Sequence, residues 1–405
     1  MTRTKKSKPG YKARAARKAA AEAAAASAPP PRPVLSVQEL LVNSARLIAS
    51  LNYEGAKELC IEACEKANEE AHNGGDPRLL RDALEILGTI ELELAELEEA
   101  REHFIASAEL ASSLPDPSPA PHLYLAQLSA TPQESLTHFA NALTIFQAKL
   151  EQIEKTKLGG DGGAGSQDDL EDEGELRRSA SRALVGMTEL YLTDLCFEED
   201  AEQKCEEYLK QASEIDPTDP EVYQTLASVR LSQQRESDAK EAADKGYSLW
   251  KNLENNSPLY PPPSARLSCA KLFLELSLHV PALEILQTLE GEDDEDSETW
   301  YLSGWAWWLL GKSRAEQPTA DQDQESKEEC WSEAKLCLEN YLKIEEREPE
   351  TTDPEQMAHV QEVLSKLNEA GIVASQGAAG EGYKVGNGGQ GGDDWEDASD
   401  AEMED

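Results

Sequence analysis

The chain has 405 residues, of which 39% are hydrophobic and 29% charged, and its formal net charge is −42. This acid excess predicts repulsion of nucleic-acid phosphates and attraction of basic polypeptides, so we expect no direct nucleic-acid partner. No apolar run approaches the roughly 18 residues of a membrane-spanning helix, so no membrane partner is expected. The seven cysteines lack the spacing of a disulfide scaffold, which indicates a reducing compartment.

Residues 1–35 form a basic segment followed by an alanine run and a proline-rich stretch. The first eighteen carry eight Lys or Arg and no acid, which leaves 30 bases against all 80 acids of the chain. We interpret the segment as a disordered arm, since it has little to bury in a core. Its basic clusters are typical of a nuclear import signal and imply an import receptor; a solubilising tail without a receptor is the alternative. The candidate residues are Lys5, Lys6, Lys8, Lys12, Arg14, Arg17 and Lys18.

From residue 36 to residue 371 the pattern is helical, with Gly- and Pro-rich breakers at the intervals of helical hairpins. The pattern also repeats with a period near 34, since units counted from Pro263 and Ser297 begin one period apart. The same counting predicts core positions in successive units: Leu87, Gly88, Ala100, Phe104, Ala212, Pro217, Tyr223, Leu226, Ala227, Ala239, Ala282, Trp300, Gly304 and Trp307.

These positions resemble the tetratricopeptide repeat, whose W-x2-L-G-x2-Y, A-x3-F and P pattern places small residues where paired helices approach. The resemblance implies an all-α, right-handed superhelix of about seven hairpins, closed by a C-terminal capping helix within PEQMAHVQEVLSKLNEAG. The third unit, His122 to Leu150, and the fourth, Ser179 to Pro217, are irregular.

Acidic segments interrupt the repeats near residues 159–175, 290–298 and 315–329, and residues 372–405 form an acidic tail. Their composition favours mobile loops and a flexible tail.

The stretch WYLSGWAWWLL contains four of the seven tryptophans. On a helix, Trp300, Gly304 and Trp307 share one face, which belongs to the core. Tyr301, Trp305 and Trp308 share a second face, at places that line the concave surface of a tetratricopeptide superhelix. We expect these to contact a ligand; the alternative is that Trp305 and Trp308 pack on a loop or on the next helix.

The same counting assigns several acids to the concave surface, where they would attract Lys and Arg side chains. With the aromatic face, they form the predicted client-binding set: Asp82, Glu85, Glu93, Glu221, Glu275, Glu298, Tyr301, Trp305 and Trp308. Aromatic rings beside Glu275 and Glu298 would add cation–π contacts.

No catalytic constellation is evident, and we expect neither catalysis nor a cofactor or metal. The GKS at residues 311–313 lacks the earlier glycine of a phosphate-binding loop and follows a helix, so we interpret Gly311 as a helix C-cap. Cys60 and Cys64 have no partners at zinc-finger spacing and are expected in the core.

The whole arrangement resembles a fungal family of dedicated assembly chaperones for the fourth large-subunit ribosomal protein. The features that carry the resemblance are the basic start, the acid-interrupted repeats, the WYLSGWAWWLLGKS block and the DDWEDASDAEMED end. The resemblance implies capture of the newly made basic ribosomal protein through its long internal loop, escort from cytoplasm to nucleus, and release to pre-ribosomal RNA. A monomer is expected.

Two other classes use the same repeat. Histone chaperones with an acidic insertion bind similarly basic clients, and they remain the alternative. Heat-shock co-chaperones clamp a carboxylate with Lys and Asn, but the corresponding places here hold Leu41, Ala45 and Ile86, so that class is disfavoured.

Overall fold

The computed structural model describes residues 35–159, 167–257, 259–316, 325–347 and 353–375, and within these every regular element is a helix. The described helices number fifteen, and the predicted all-α tetratricopeptide-repeat fold is confirmed. The described part of the chain divides into two compact units, one up to residue 128 and the other from residue 129. Residues 1–34 of the predicted basic arm lie outside the described residues, as do residues 376–405 of the predicted tail.

The described residues of the first unit form five helices that pack in chain order, each on the next. They are α1 (Val37–Ala49), α2 (Tyr53–His72), α3 (Pro77–Glu93), α4 (Leu97–Ser112) and α5 (Ala120–Gln127). Ser36 forms a capping box with Glu39 at the start of α1, and Asp76 caps α3 just before Pro77. These residues satisfy backbone N–H groups that the first helical turn leaves unpaired.

The second unit contains ten helices. They are α6 (Pro132–Gly159), α7 (Gln167–Leu192), α8 (Ala201–Ile215), α9 (Pro220–Ser232), α10 (Glu236–Ser248), α11 (Pro263–Glu275), α12 (His279–Glu292), α13 (Ser297–Glu316), α14 (Lys327–Glu345) and α15 (Pro354–Glu369). The pairs α7/α8, α9/α10, α11/α12 and α13/α14 form hairpins, and α15 packs on α14 as the predicted last helix. One continuous core extends from α9 to α15.

Four hairpins share the same tight turn. Leu51, Ala95, Gln234 and Ser277 have φ between 58° and 60°, and each stands one residue before the N-cap of the second helix. This left-handed conformation ends the first helix and reverses the chain. None of the four is glycine, so the repeat of this turn was not evident from residue type.

Consecutive helices approach closely where a side chain is missing. A Cβ at Gly88 would meet the Phe104 ring at 2.8 Å, and one at Gly304 would meet the Leu338 side chain at 2.6 Å. Gly311 lies inside α13, and a Cβ there would overlap the Trp331 indole. The interpretation of Gly311 as a C-cap was therefore wrong: α13 continues to Glu316, and the glycine makes room for α14.

Most predicted core residues are buried. Leu87, Ala100, Phe104, Ala212, Tyr223, Ala227, Ala239, Ala282 and Trp307 are at most 6% exposed, and Gly88 and Gly304 are buried with them. Leu226 and Trp300 are half-buried and pack on the same core. Pro217 is exposed, so its assignment was wrong: it follows the end of α8, and only its carbonyl is used, accepting from the Tyr223 hydroxyl at 3.0 Å.

The three acidic segments contain more helix than predicted. Helix α7 begins at Gln167, and Glu173 within it is buried between Lys157 and Arg177. The segment near 290–298 shortens to a four-residue turn, 293–296. Residues 315–316 are helical because they end α13. Residues 327–329 are helical because α14, which Ser326 caps, begins at Lys327. Residues 160–166 and 317–324 lie outside the described residues.

We expect Gly311→Ala to lower the free energy of unfolding by roughly 1–3 kcal/mol, because the added methyl group displaces the half-buried indole of Trp331. The control is Gly174→Ala in α7, where no described atom lies within 4 Å of the new Cβ. That change should instead stabilise by about 0.5–1 kcal/mol through helix propensity. Urea unfolding followed by circular dichroism measures both. Equal midpoint shifts in the two variants would contradict the packing assigned to Gly311.

Candidate binding surface

Three predicted acids lie on α3 in the first unit and differ in their surroundings. Asp82 is partly exposed and paired with Arg81, 2.7 Å away, and Glu93 is exposed. Glu85 is half-buried and accepts hydrogen bonds from the Ser107 and Ser118 hydroxyls, both at 3.1 Å. Burial raises the pKa of Glu85 despite these donors.

The Glu85 contacts fasten α3 to α4 and to the segment before α5. Its carboxylate oxygens are thus already occupied, and its assignment to an open client-binding surface was wrong. The helical register correctly placed its backbone but could not reveal the two serines, which come from other segments.

Trp308 was also wrongly assigned to the client-binding set. It is 8% exposed and stacks on Trp331 of α14, with ring centroids 4.7 Å apart and planes 21° from parallel. The Trp331 indole N–H donates to the Trp308 carbonyl at 3.3 Å. Because Gly311 allows α14 to come close, the Trp308 ring belongs to the core and is not open to a client.

Tyr301 and Trp305 are half-buried and face His359 of α15. The Tyr301 hydroxyl lies 2.9 Å from His359 Nδ1, and the Trp305 ring meets the imidazole edge-on at 4.5 Å. These two side chains therefore pack partly on α15. The alternative, that Trp305 and Trp308 pack on a loop or on the next helix, holds for Trp308, which stacks on Trp331 of α14. Their remaining exposed surface keeps them as candidate client contacts, a role that stays a prediction.

His359 had not been singled out in the sequence. Its helix was expected only to cap the repeats, and a single histidine in an amphipathic helix gives no signal of what it faces. The contact with Tyr301 and Trp305 makes it part of the candidate surface.

The remaining acids lie in the second unit. Glu275 is exposed. Glu298 pairs with Lys271 at 2.6 Å, and Glu221 pairs with Arg182 at 3.1 Å. Burial raises the pKa of Glu221, and Arg182 opposes the shift. Sequence counting identified these acids but missed the bases that neutralise two of them.

A further acid, Glu290 on α12, lies away from this set. It accepts a hydrogen bond from the fully buried Ser303 hydroxyl of α13. Burial raises the pKa of Glu290 to about 7, and the nearby Glu333 carboxylate adds to the shift. This side chain is therefore partly protonated near neutral pH.

The described residues contain no group of three His, Cys, Asp or Glu side chains that could hold a metal ion. Among the described helices, none is both long enough and apolar enough for a membrane span. Cys60 is fully buried and Cys64 is half-buried.

No protein-family model matches the chain. A curated protein of Schizosaccharomyces pombe, described as "Probable assembly chaperone of rpl4", is 30% identical over 292 residues, which cover 72% of this chain and 81% of that protein. The chain belongs to the rpl4 assembly chaperone family. An Emericella nidulans protein of the same description is 28% identical over 357 residues, covering 84% of this chain and 82% of its own length.

A solved structure of this family is also similar. It is described as "Assembly Chaperone of RpL4 (Acl4) (Residues 1-338)" and is 32% identical, with a TM-score of 0.62. The match covers 70% of this chain and all of that one. The resemblance expected from the sequence is thereby confirmed at the level of family and fold.

We expect the contribution of Glu290 to the free energy of unfolding to fall as pH rises from about 4.5 to about 7. Over that range folded Glu290, with its pKa near 7, holds a proton that the unfolded side chain, at its ordinary value of 4.5, has lost. Glu290→Gln keeps the acceptor for Ser303 and removes the ionisation. The variant should be more stable than the wild type at pH 8, by on the order of 2 kcal/mol, and nearly equal at about pH 4.

Thermal unfolding at the two pH values measures the difference. Glu275→Gln is the control, because that side chain is exposed. The same pH dependence in wild type and Glu290→Gln would show that Glu290 does not control it.

Proposed function

We propose that the chain is a dedicated chaperone that binds newly made rpl4, a basic protein of the large ribosomal subunit, and shields its long internal loop. The observation that carries the proposal is the family match, which covers 81% of a relative named for this task. The exposed acids and half-buried aromatic rings supply a chemistry suited to a basic client. The relatives' names favour rpl4 over histones as that client.

The binding strength would come from several weak contacts. A single exposed ion pair contributes about 0–1 kcal/mol, so no one acid would hold the client. In the second unit, Glu275 and Glu298 are exposed, and the open edges of Tyr301 and Trp305 can bury the aliphatic stem of a Lys or Arg. Together these contacts would favour a segment carrying several bases over an isolated charge.

Release requires no chemistry in this scheme. Pre-ribosomal RNA presents a denser array of negative charge than the protein surface, so rpl4 would transfer to it without nucleotide hydrolysis. We therefore propose a non-enzymatic role, with the chain acting as a monomer.

The basic arm extends the proposal to transport. Lys5, Lys6 and Lys8, with the basic residues after them, have the composition of an import signal. We propose that an import receptor binds this arm and carries the chaperone with its client from the cytoplasm to the nucleus.

Reversing exposed acids tests the binding surface. We expect Glu275→Lys combined with Glu298→Lys to weaken binding of purified rpl4 at least tenfold at about 0.1 M salt, since two attractive contacts become repulsive. The control combines Glu202→Lys on α8 with Glu328→Lys on α14, which are exposed acids of the same unit changed by the same net charge. Isothermal titration calorimetry gives the affinities, and circular dichroism checks folding.

The control should lose much less affinity than the test variant. If both variants weaken equally, binding follows net charge alone. If neither weakens, the client occupies another surface.

Deleting residues 1–18 tests the import proposal. A fluorescent fusion of the deleted chain should stay in the cytoplasm, while the full chain reaches the nucleus. Replacing only the seven candidate Lys and Arg residues by Gln should have the same effect. Nuclear accumulation of both variants at the full-chain level would contradict a role for the arm.

A further inference from the structure

Two acids of the candidate surface are already paired with a base from the preceding hairpin. Arg182 on α7 pairs with Glu221 on α9, and Lys271 on α11 pairs with Glu298 on α13. In both cases the base and the acid stand on the first helices of successive hairpins. All four side chains are 44–53% exposed, so either pair can separate into water.

The first pair includes a deeper acid. Asp219 is 1% exposed and caps α9, where one carboxylate oxygen accepts from the Glu221 backbone N–H at 3.1 Å. Its other oxygen, Oδ2, has no hydrogen-bond donor among the described residues. Arg182 Nε is 3.8 Å from that oxygen, which is an ion-pair distance outside hydrogen-bond range.

Buried carboxylate oxygens normally have a hydrogen-bond donor, so Asp219 Oδ2 indicates an incomplete site. Asp216 lies on the same side, 8% exposed at its side chain and 4.0 Å from Arg178. Burial raises the pKa of Asp219, and the Arg182 charge opposes the shift. A cation placed closer to Asp219 than Arg182 is would therefore be stabilised, because the protein compensates the negative charge of Asp219 only in part.

An arginine side chain fits this site better than a lysine. Its planar guanidinium carries five N–H donors and can bond two carboxylates at once. One edge could donate to Asp219 Oδ2 while another donates to Glu221. Arg182 reaches both acids with its Nε, which is 3.8 Å from Asp219 Oδ2 and 3.1 Å from the Glu221 carboxylate.

We propose that Asp219 and Glu221 form a subsite for an arginine of the basic client, and that Arg182 is an internal counter-ion which the client displaces. The inference rests on the proposed function, because it assigns rpl4 as the source of that arginine. Lys271 is the corresponding internal counter-ion of Glu298. A partner with a single base gains little by replacing an existing pair, whereas an arginine-rich segment displaces both bases, so the counter-ions select for clients dense in charge.

Two variants with opposite expected effects test the subsite. Arg182→Gln removes the competitor and should tighten rpl4 binding about three- to tenfold. Asp219→Asn should weaken it about five- to tenfold, because Asn remains a good helix N-cap but lacks the charge. The control is Asp76→Asn, the same change at another Asp-Pro helix start, where the carboxylate is exposed and paired with Arg78. Calorimetry with purified rpl4 supplies the affinities, and circular dichroism shows whether each variant folds.

The same titrations with deca-arginine and deca-lysine separate the two hypotheses. If the wild type binds deca-arginine more tightly than deca-lysine, and Arg182→Gln widens that preference, the subsite is supported even where rpl4 does not bind and the proposed function fails. If rpl4 binds the wild type but Arg182→Gln leaves its affinity unchanged or weaker, the subsite is wrong and the proposed function stands. Because Arg182 is half-exposed, its variant should fold even if Asp219→Asn does not.

Discussion

The close approach of paired helices is the constraint on which the rest of this structure depends. A helix buries its apolar stripe only against a neighbour near enough to exclude water, and that distance is set by the smallest side chains between them. Gly304 and Gly311 stand two turns apart on α13, and each admits a side chain of α14 where a Cβ would collide. In the first unit Gly88 receives the Phe104 ring in the same manner. The alanines at the corresponding places are fully buried.

This packing decides which aromatic residues remain available at the surface. Trp331 enters the space left by Gly311 and covers Trp308, so that ring contributes to stability and not to recognition. Tyr301 and Trp305 lie one step around the helix, where α15 covers them only partly through His359. The concentration of tryptophans in one helix thus serves mainly the core, with a smaller part at the candidate surface.

The fold was more predictable than the site, for a physical reason. Helical periodicity identifies the face on which a residue lies, and the spacing of small and large residues identifies the repeat; both were sufficient to predict the core. Periodicity does not identify the partner that comes from another helix. Glu85 was therefore assigned to open surface although two serines bind it, and Pro217 was assigned to the core although it lies in an exposed turn. Arg182 and Lys271 were overlooked because ion pairs between successive hairpins leave no local pattern.

Acid excess alone would produce a protein that binds any polycation. The structure modifies that picture, since some acids are buried or half-buried, as Glu173 and Glu290 are, and others are neutralised by internal bases. The exposed acids and partly open aromatic rings that remain carry the chemistry proposed for binding a basic client. Such a surface favours a client with many closely spaced bases, in keeping with a protein from a family named for rpl4 assembly.

The most direct test of the central claim is to purify the tagged full chain from its own cells at low and moderate salt and to identify its stoichiometric companions by mass spectrometry. The account predicts that rpl4 dominates both samples at one copy per chain. Histones in place of rpl4, or a mixture of basic proteins that disappears at moderate salt, would contradict a dedicated rpl4 chaperone.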